Sequence, residues 1–343
     1  MMVFALLTGL LPVVLLLAGM VTMDCYKLVS RREALGSIAW GALAGVISWG
    51  AHALARDRLG VPPGLLRWIA PIVEETLKLA WVALLIRRRL VGFLVDAAIH
   101  GFAIGAGFAL VENLYYAASL HDVSPLLWLA RGLGTAVMHG GATAMAAVVG
   151  QDLAKRQASR RLVWFAPGLA FAIVVHTLFN RLPLPPLLST ACVILFVPAI
   201  LIVVYELSES RTRRWLGTTM DRDLDLLEQI HSGAIASTHV GSYLASLQQR
   251  FPGPVVADML CLLEIHAELA MRAKGLLLAR EAGLEIPPDP EVAGHLRELR
   301  FLERSIGVTG RLAIAPFMAG SGDRWPIRML ESDRSGRAVP GRP

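Results

Sequence analysis

Seven polar residues stand inside apolar stretches of this chain: Glu74, Glu75 and Lys78; Glu112; His139; and His176 with Asn180. A buried carboxylate can act as general base on a water and then as acid to a leaving amine. A histidine and an asparagine four residues apart lie on one helix face, where they can donate hydrogen bonds to a developing oxyanion. Together these residue types suit hydrolysis of an amide bond without a nucleophilic serine or cysteine. Glutamate and histidine are also zinc ligands. There is no His-Glu-x-x-His helix, however, and the Lys78 charge weighs against a cation, so zinc is compatible but not favoured and no cofactor is expected. The same groups could form the proton or cation relay of a transporter. No inverted repeat and no pair of Pro/Gly-broken helices supports that alternative.

Glu74, Glu75 and Lys78 interrupt the apolar run Leu65–Ile86, long enough to cross a bilayer. Each charge there costs roughly 2.5–3.5 kcal/mol on insertion scales. At about 100° per residue, Lys78 sits ~40° from Glu74 and ~60° from Glu75, within reach of either. One carboxylate can be neutralised while the other stays free, and which one is left open. A structural ion pair is the competing reading.

The elements that must position these groups are membrane spans. Hydrophobic residues make up 55% of the 343 residues and charged ones only 17%, with mean hydropathy +0.55, and the apolar residues come in long blocks. This composition excludes an ordinary soluble protein. The blocks predict spans at about Val3–Met23, Leu35–Ala55, Leu65–Ile86, Leu90–Ala118, Pro125–Gly150, Leu162–Leu182 and Leu187–Leu207. Every second loop is basic, with three, three, four and three Lys/Arg at Lys27–Arg32, Arg87–Arg89, Lys155–Arg161 and Arg211–Arg214. The positive-inside rule then puts the N-terminus outside and the C-terminus in the cytoplasm of a multi-pass cell-membrane protein. The basic clusters are topology signals, so the pI near 9.6 does not imply nucleic acid as a partner. Cys25, Cys192 and Cys261 are too scattered for a disulfide framework or a metal site.

The fold class expected is therefore all-α and polytopic, with about seven transmembrane helices and a C-terminal helical cytoplasmic region. Residues 1–214 form the membrane domain. Residues 215–319 read as soluble helices at Asp221–His231, Val240–Arg250, Val255–Ala282 and Glu291–Ile306. Residues 320–343, rich in Gly, Ser, Arg and Pro, read as a disordered tail.

Each intramembrane polar residue has a bland reading. Glu112 could pair with Arg131, His139 could serve helix packing, and Asn180 could bond a backbone carbonyl. Four consecutive spans carrying such groups at interior depth argue against coincidence. At 1.5 Å per residue, Glu74 and Glu75 lie ~14 Å from the outer surface, Glu112 and His176 ~9 Å and His139 ~20 Å, compatible with one cluster in the outer half of the membrane. Gly101, Gly105 and Gly107, with Gly140 and Gly141, would let the helices close on it. Asp96 and His100 lie toward the cytoplasmic end and read as a structural pair.

Glu-Glu-x-x-Lys (Glu74, Glu75, Lys78), Phe-x-x-x-Glu (Phe108, Glu112), an isolated His139 and His-x-x-x-Asn (His176, Asn180), in this order on successive spans, resemble the PrsW intramembrane protease family. That family is related to the CAAX prenyl endopeptidases and bacteriocin-processing membrane proteins. Lys78 and Glu112 place the chain on the PrsW side, since the CAAX-type relatives carry Glu-Glu-x-x-x-Arg and Phe-x-x-x-His. The motifs cover residues 65–182. The resemblance implies a glutamate-dependent intramembrane endopeptidase whose partners are the lipid bilayer and a membrane-protein substrate. In the best-known bacterial case that substrate is an anti-sigma factor, cut outside the cytoplasm to start a stress response. It further implies one of Glu74 and Glu75 as water-activating base and the other paired with Lys78. His139 and Glu112 would orient the water, and His176 with Asn180 would stabilise the oxyanion. A third expectation keeps the membrane part as a non-catalytic receptor or scaffold acting through its cytoplasmic helices.

Overall fold

The computed structural model of the chain describes residues 29–119, 124–156, 161–181, 184–284, 286–287 and 289–318, with short pieces within 14–22 and 326–331. Most of the expected first span and of the tail lies outside the described residues. Among the described residues there are helices and no strand. The chain is an all-α polytopic membrane protein. It divides into two compact units, Met1–Glu209 and Ser210–Pro343.

The first unit contains α1 (Arg31–Asp57), α2 (Pro63–Arg87), α3 (Leu94–Ser119), α4 (Pro125–Arg156), a 3-10 turn at Leu162–Phe165 leading into α5 (Ala166–Arg181), and the start of α6 (Pro186–His231). Local chemistry sets the starts. Ser30 and Glu33 form a capping box on α1, and Pro63 sits in the first turn of α2, where a missing amide is harmless. Five of these helices are long and apolar enough to cross a membrane. The sixth, α2, has the length of a span at 25 residues but carries Arg67, Glu74, Glu75 and Lys78 within it. Burial explains how it holds them: Glu75 and Lys78 face the interior with Leu79, Val82, Ala83 and Ile86.

Helix α3 is the centre, packed against α1 on one side and α4 on the other, while α5 packs on α4 and α2. Phe102, Ile104, Ala109, Met138 and Ala144 fill the contact layers. Gly105 lies against the backbone of His139 and Gly140, where a Cβ would collide, so the α3 and α4 backbones touch beside the polar cluster. The outer helices turn Leu43, Ile47, Leu178, Leu195 and Phe196 outward. Such a surface suits hydrocarbon, where apolar exposure carries no penalty and every backbone bond is met within a helix.

Asp96 and His100 each have a partner of their own. Asp96 accepts the Gly92 and Phe93 amides at 2.9 and 3.1 Å, and His100 Nδ1 shares a 2.8 Å hydrogen bond with Ser37 Oγ.

The second unit holds the rest of α6, then α7 (His239–Leu247), α8 (Gly253–Glu281) and α9 (Val292–Ile314). The expected seventh span and the soluble helix Asp221–His231 are one continuous helix. No proline and only Gly217 lies between Glu209 and His231, so nothing local stops it. Met259, Leu262, Leu269 and Leu277 of α8 are buried, as are Leu296, Leu299, Leu302 and Ile306 of α9, spaced for one helix face. Lys274 and Asp223 form a buried pair at 2.5 Å beside the Trp215 ring.

Candidate active site

Six of the seven residues singled out converge in the first unit. Glu75 is the hub. Its Oε1 lies 2.5 Å from Lys78 Nζ, 2.7 Å from His176 Nδ1 and 3.8 Å from His139 Nδ1. Lys78 Nζ is also 2.8 Å from His139 Nδ1 and lies over the Phe108 ring. His139 Nε2 is 2.7 Å from Glu112 Oε2, and the His139 and His176 rings meet edge to face with centroids 4.7 Å apart. Glu75, Lys78, His139 and His176 are all buried. The other partner considered for Glu112, Arg131, has a side chain outside the described residues.

Donor and acceptor accounting assigns the ring protons. The Lys78 ammonium can only donate, so His139 Nδ1 accepts, and its Nε2–H donates to Glu112. The Glu75 carboxylate can only accept, so His176 Nδ1–H donates to it. His176 Nε2 is left with a bare lone pair, 3.7 Å from Glu74 Oε2. The imidazole expected to donate to an oxyanion therefore presents an acceptor at its free edge.

The two adjacent glutamates are now distinct. Glu75 is 1% exposed and held by Lys78 and His176. Glu74 is 15% exposed, with His176 at 3.7 Å and His52 Nδ1 at 3.9 Å, both beyond direct hydrogen-bond range. It lines a groove with Gly45, Ser48, His52, Phe108 and Glu112. Asn180 is the residue not brought in: it is exposed, in the last turn of α5. His52 is the residue sequence reasoning passed over. Its signal was an ionisable group inside a span, one turn after Ser48, obscured by the nearby Arg56 and Arg58.

Glu74, His139 and His176 each offer one ligand atom, all within 4.8 Å of one another. Two imidazoles and one carboxylate form a hydrolytic zinc donor set, and Glu75 stands behind His176 as the outer carboxylate that fixes its tautomer. The donor types and spacing fit a zinc-class ion. The two sequence-based objections lose force here. The donors come from three helices, so no single-helix motif is needed, and the Lys78 charge is matched by Glu75.

Such a bundle, with ionisable side chains from four helices gathered inside it, defines an intramembrane enzyme type of architecture rather than a membrane anchor. A family model described as PrsW family intramembrane metalloprotease matches residues 29–205. The chain belongs to this family and carries its intramembrane protease domain. Neither the curated proteins nor the solved structures contain a match.

Proposed function

We propose that the chain hydrolyses a peptide bond of a membrane-embedded protein with a water activated between Glu74 and His176. The observation that carries this reading is the division of labour between neighbouring glutamates. Glu75 is taken up by Lys78 and His176, whereas Glu74 faces the groove beside the bare His176 Nε2. Glu74 accepts the proton of the attacking water and delivers it to the leaving amine nitrogen. Glu75 orients His176, and Lys78 neutralises Glu75 while setting the His139 tautomer. Glu112 holds the proton on His139 Nε2. Asn180 is left outside this machinery.

A zinc-class ion held by Glu74, His139 and His176 would supply Lewis-acid polarisation and a more acidic water, and Glu74 would then act as a ligand rather than as the free base. To hold such an ion, His139 would have to release one of its present partners, Lys78 or Glu112. One observation favours a second, metal-independent reading: both His139 nitrogens already have partners in Lys78 and Glu112. Metal content of the purified full chain, with cleavage measured with and without chelator, separates the two. Stoichiometric zinc and chelator-sensitive cleavage support the metal reading, and chelator-resistant cleavage by zinc-free protein supports the other.

The basic loops support an outside N-terminus, a cytoplasmic C-terminus, a membrane domain ending near Arg214 and a helical cytoplasmic region to residue 319, followed by a tail. In that orientation the cluster lies toward the outer leaflet. A single-pass regulator such as an anti-sigma factor, cut to start a stress response, is the narrower form of the proposal. The test compares membrane proteomes of cells making wild type or the Glu74→Gln/Glu75→Gln variant. Accumulation of an uncut single-pass protein in the variant supports the proposal. Identical proteomes, with the variant inserted normally, overturn it.

A further inference from the structure

Gly45, Ser48 and His52 lie at i, i+3 and i+7 on α1, one stripe of that helix. With Glu74 of α2 and Glu112 of α3 they line a groove of about 360 Å³, within the size range of ligand sites. Val46, Val111 and Tyr116 make its walls largely apolar. Trp49 of α1 and Tyr115 of α3 meet at its rim with ring centroids 6.2 Å apart, and both are exposed.

Inside this apolar groove, His52 Nε2 and Ser48 Oγ are buried and have no hydrogen-bond partner among the described residues. Glu74, 3.9 Å from His52 Nδ1, likewise makes no direct hydrogen bond. Unmatched polar groups in a low-dielectric surrounding are costly and call for a matching ligand. An intact helix is no match, because its backbone groups already bond to one another. A spanning segment whose helix has opened is one: it carries bare carbonyl and amide groups, which hydrocarbon cannot satisfy, alongside apolar side chains.

We infer that this groove is the substrate-binding site and takes the spanning segment of a single-pass protein in an opened, extended form. His52 and Ser48 hydrogen-bond its backbone beside Glu74. Trp49 and Tyr115 flank the entrance from the lipid. The inference rests on the peptidase reading above.

The test uses the full chain in phospholipid vesicles with two quenched-fluorescence apolar peptides of about 20 residues. The two are identical except for a Gly-Gly pair that weakens the helix in one. The Gly-Gly peptide is expected to be cut faster. His52→Phe, which removes the ring nitrogens, should raise KM about tenfold with kcat nearly unchanged, as should Ser48→Ala to a smaller degree. His52→Gln should recover most of the loss. Binding is read separately by a benzophenone side chain introduced at Tyr115 in a Glu74→Gln chain, which should capture the peptide. Val46→Trp places an indole in the groove from a 53% exposed position and should abolish capture. Val203→Trp, at a 64% exposed position on α6, should not. Unchanged KM in both His52→Phe and Ser48→Ala, or capture indifferent to Val46→Trp, overturns the groove assignment even where the peptide is cut. Capture without cutting supports the groove and counts against the peptidase reading. Neither capture nor cutting overturns the assignment.

Discussion

Lys78→Met isolates the charge pair at the centre of the cluster. Lys78 Nζ lies 2.5 Å from Glu75 Oε1 and 2.8 Å from His139 Nδ1, and the side chain is 0% exposed. Methionine is close in length and can fill the same space against Phe108, so most of what is lost is electrostatic. Glu75 then keeps His176 as its near donor, with Oε2 already buried and without a partner among the described residues. Removing one member of a buried pair costs about 3–5 kcal/mol. Adding Glu75→Gln removes the uncompensated charge and should recover about 2 kcal/mol, a coupling expected of residues in direct contact. Unfolding by SDS titration in mixed micelles, followed through the eight tryptophans, gives these differences. If Lys78→Met unfolds at the wild-type midpoint, or the double variant shows only the sum of the single losses, the pair does not have the environment described. Activity adds a second axis. A purely structural pair predicts a stable and active double variant; a pair that orients His176 and His139 for catalysis predicts a stable and inactive one.

Glu74→Gln should abolish cleavage while moving the unfolding midpoint by less than about 0.5 kcal/mol, because Glu74 makes no direct hydrogen bond to lose. A variant retaining cleavage would remove Glu74 as the base. Gly105→Ala places a methyl against the His139 and Gly140 backbone and should cost about 1–3 kcal/mol, with reduced cleavage, read by the same titration and a peptide assay. In the second unit, burial of His266 on α8 holds its pKa below the ordinary 6.5. The unfolded chain therefore binds the proton first as pH falls, so the His266 contribution is complete above about pH 6.5 and declines on acidification below it. Hydrogen exchange across α8 should accelerate between ~pH 7.5 and ~pH 5.5 beyond the intrinsic pH effect, and His266→Gln should flatten that change.

The membrane class and the identity of the cluster were legible because charge inside an apolar block is rare and needs a reason. Glu74, Glu75, Lys78, Glu112, His139 and His176 announce themselves in that way, and the glycine pairs show which helices can close. Their pairing was not legible. Helix angles alone favour Lys78 with Glu74, at ~40° rather than ~60°. The structure instead pairs Lys78 with Glu75, because Glu75 faces His139 of α4 and His176 of α5 while Glu74 faces α1. The rotation of α2 relative to three neighbours decides this, and periodicity within one segment carries no information about it. Asn180 shows the same limit from the other side. Spacing puts it on the His176 face, but it lies at the last turn of α5 and is exposed.

His176 shows how much chemistry hangs on that rotation. Had Lys78 been spent on Glu74, Glu75 would have been the open carboxylate, and nothing in the sequence opposes that arrangement. Because Glu75 takes both Lys78 and His176 Nδ1–H, the free edge of His176 becomes an acceptor, suited to a metal or a proton and not to an oxyanion. The donor that a developing oxyanion needs must then come from elsewhere in the site. His52 and Ser48 of α1, which line the same groove as Glu74, carry buried polar atoms with no partner among the described residues, placed for contacts with a substrate backbone. The site is thus completed by a helix that the Glu-Glu-x-x-Lys motif does not reach, across the groove where a substrate would lie.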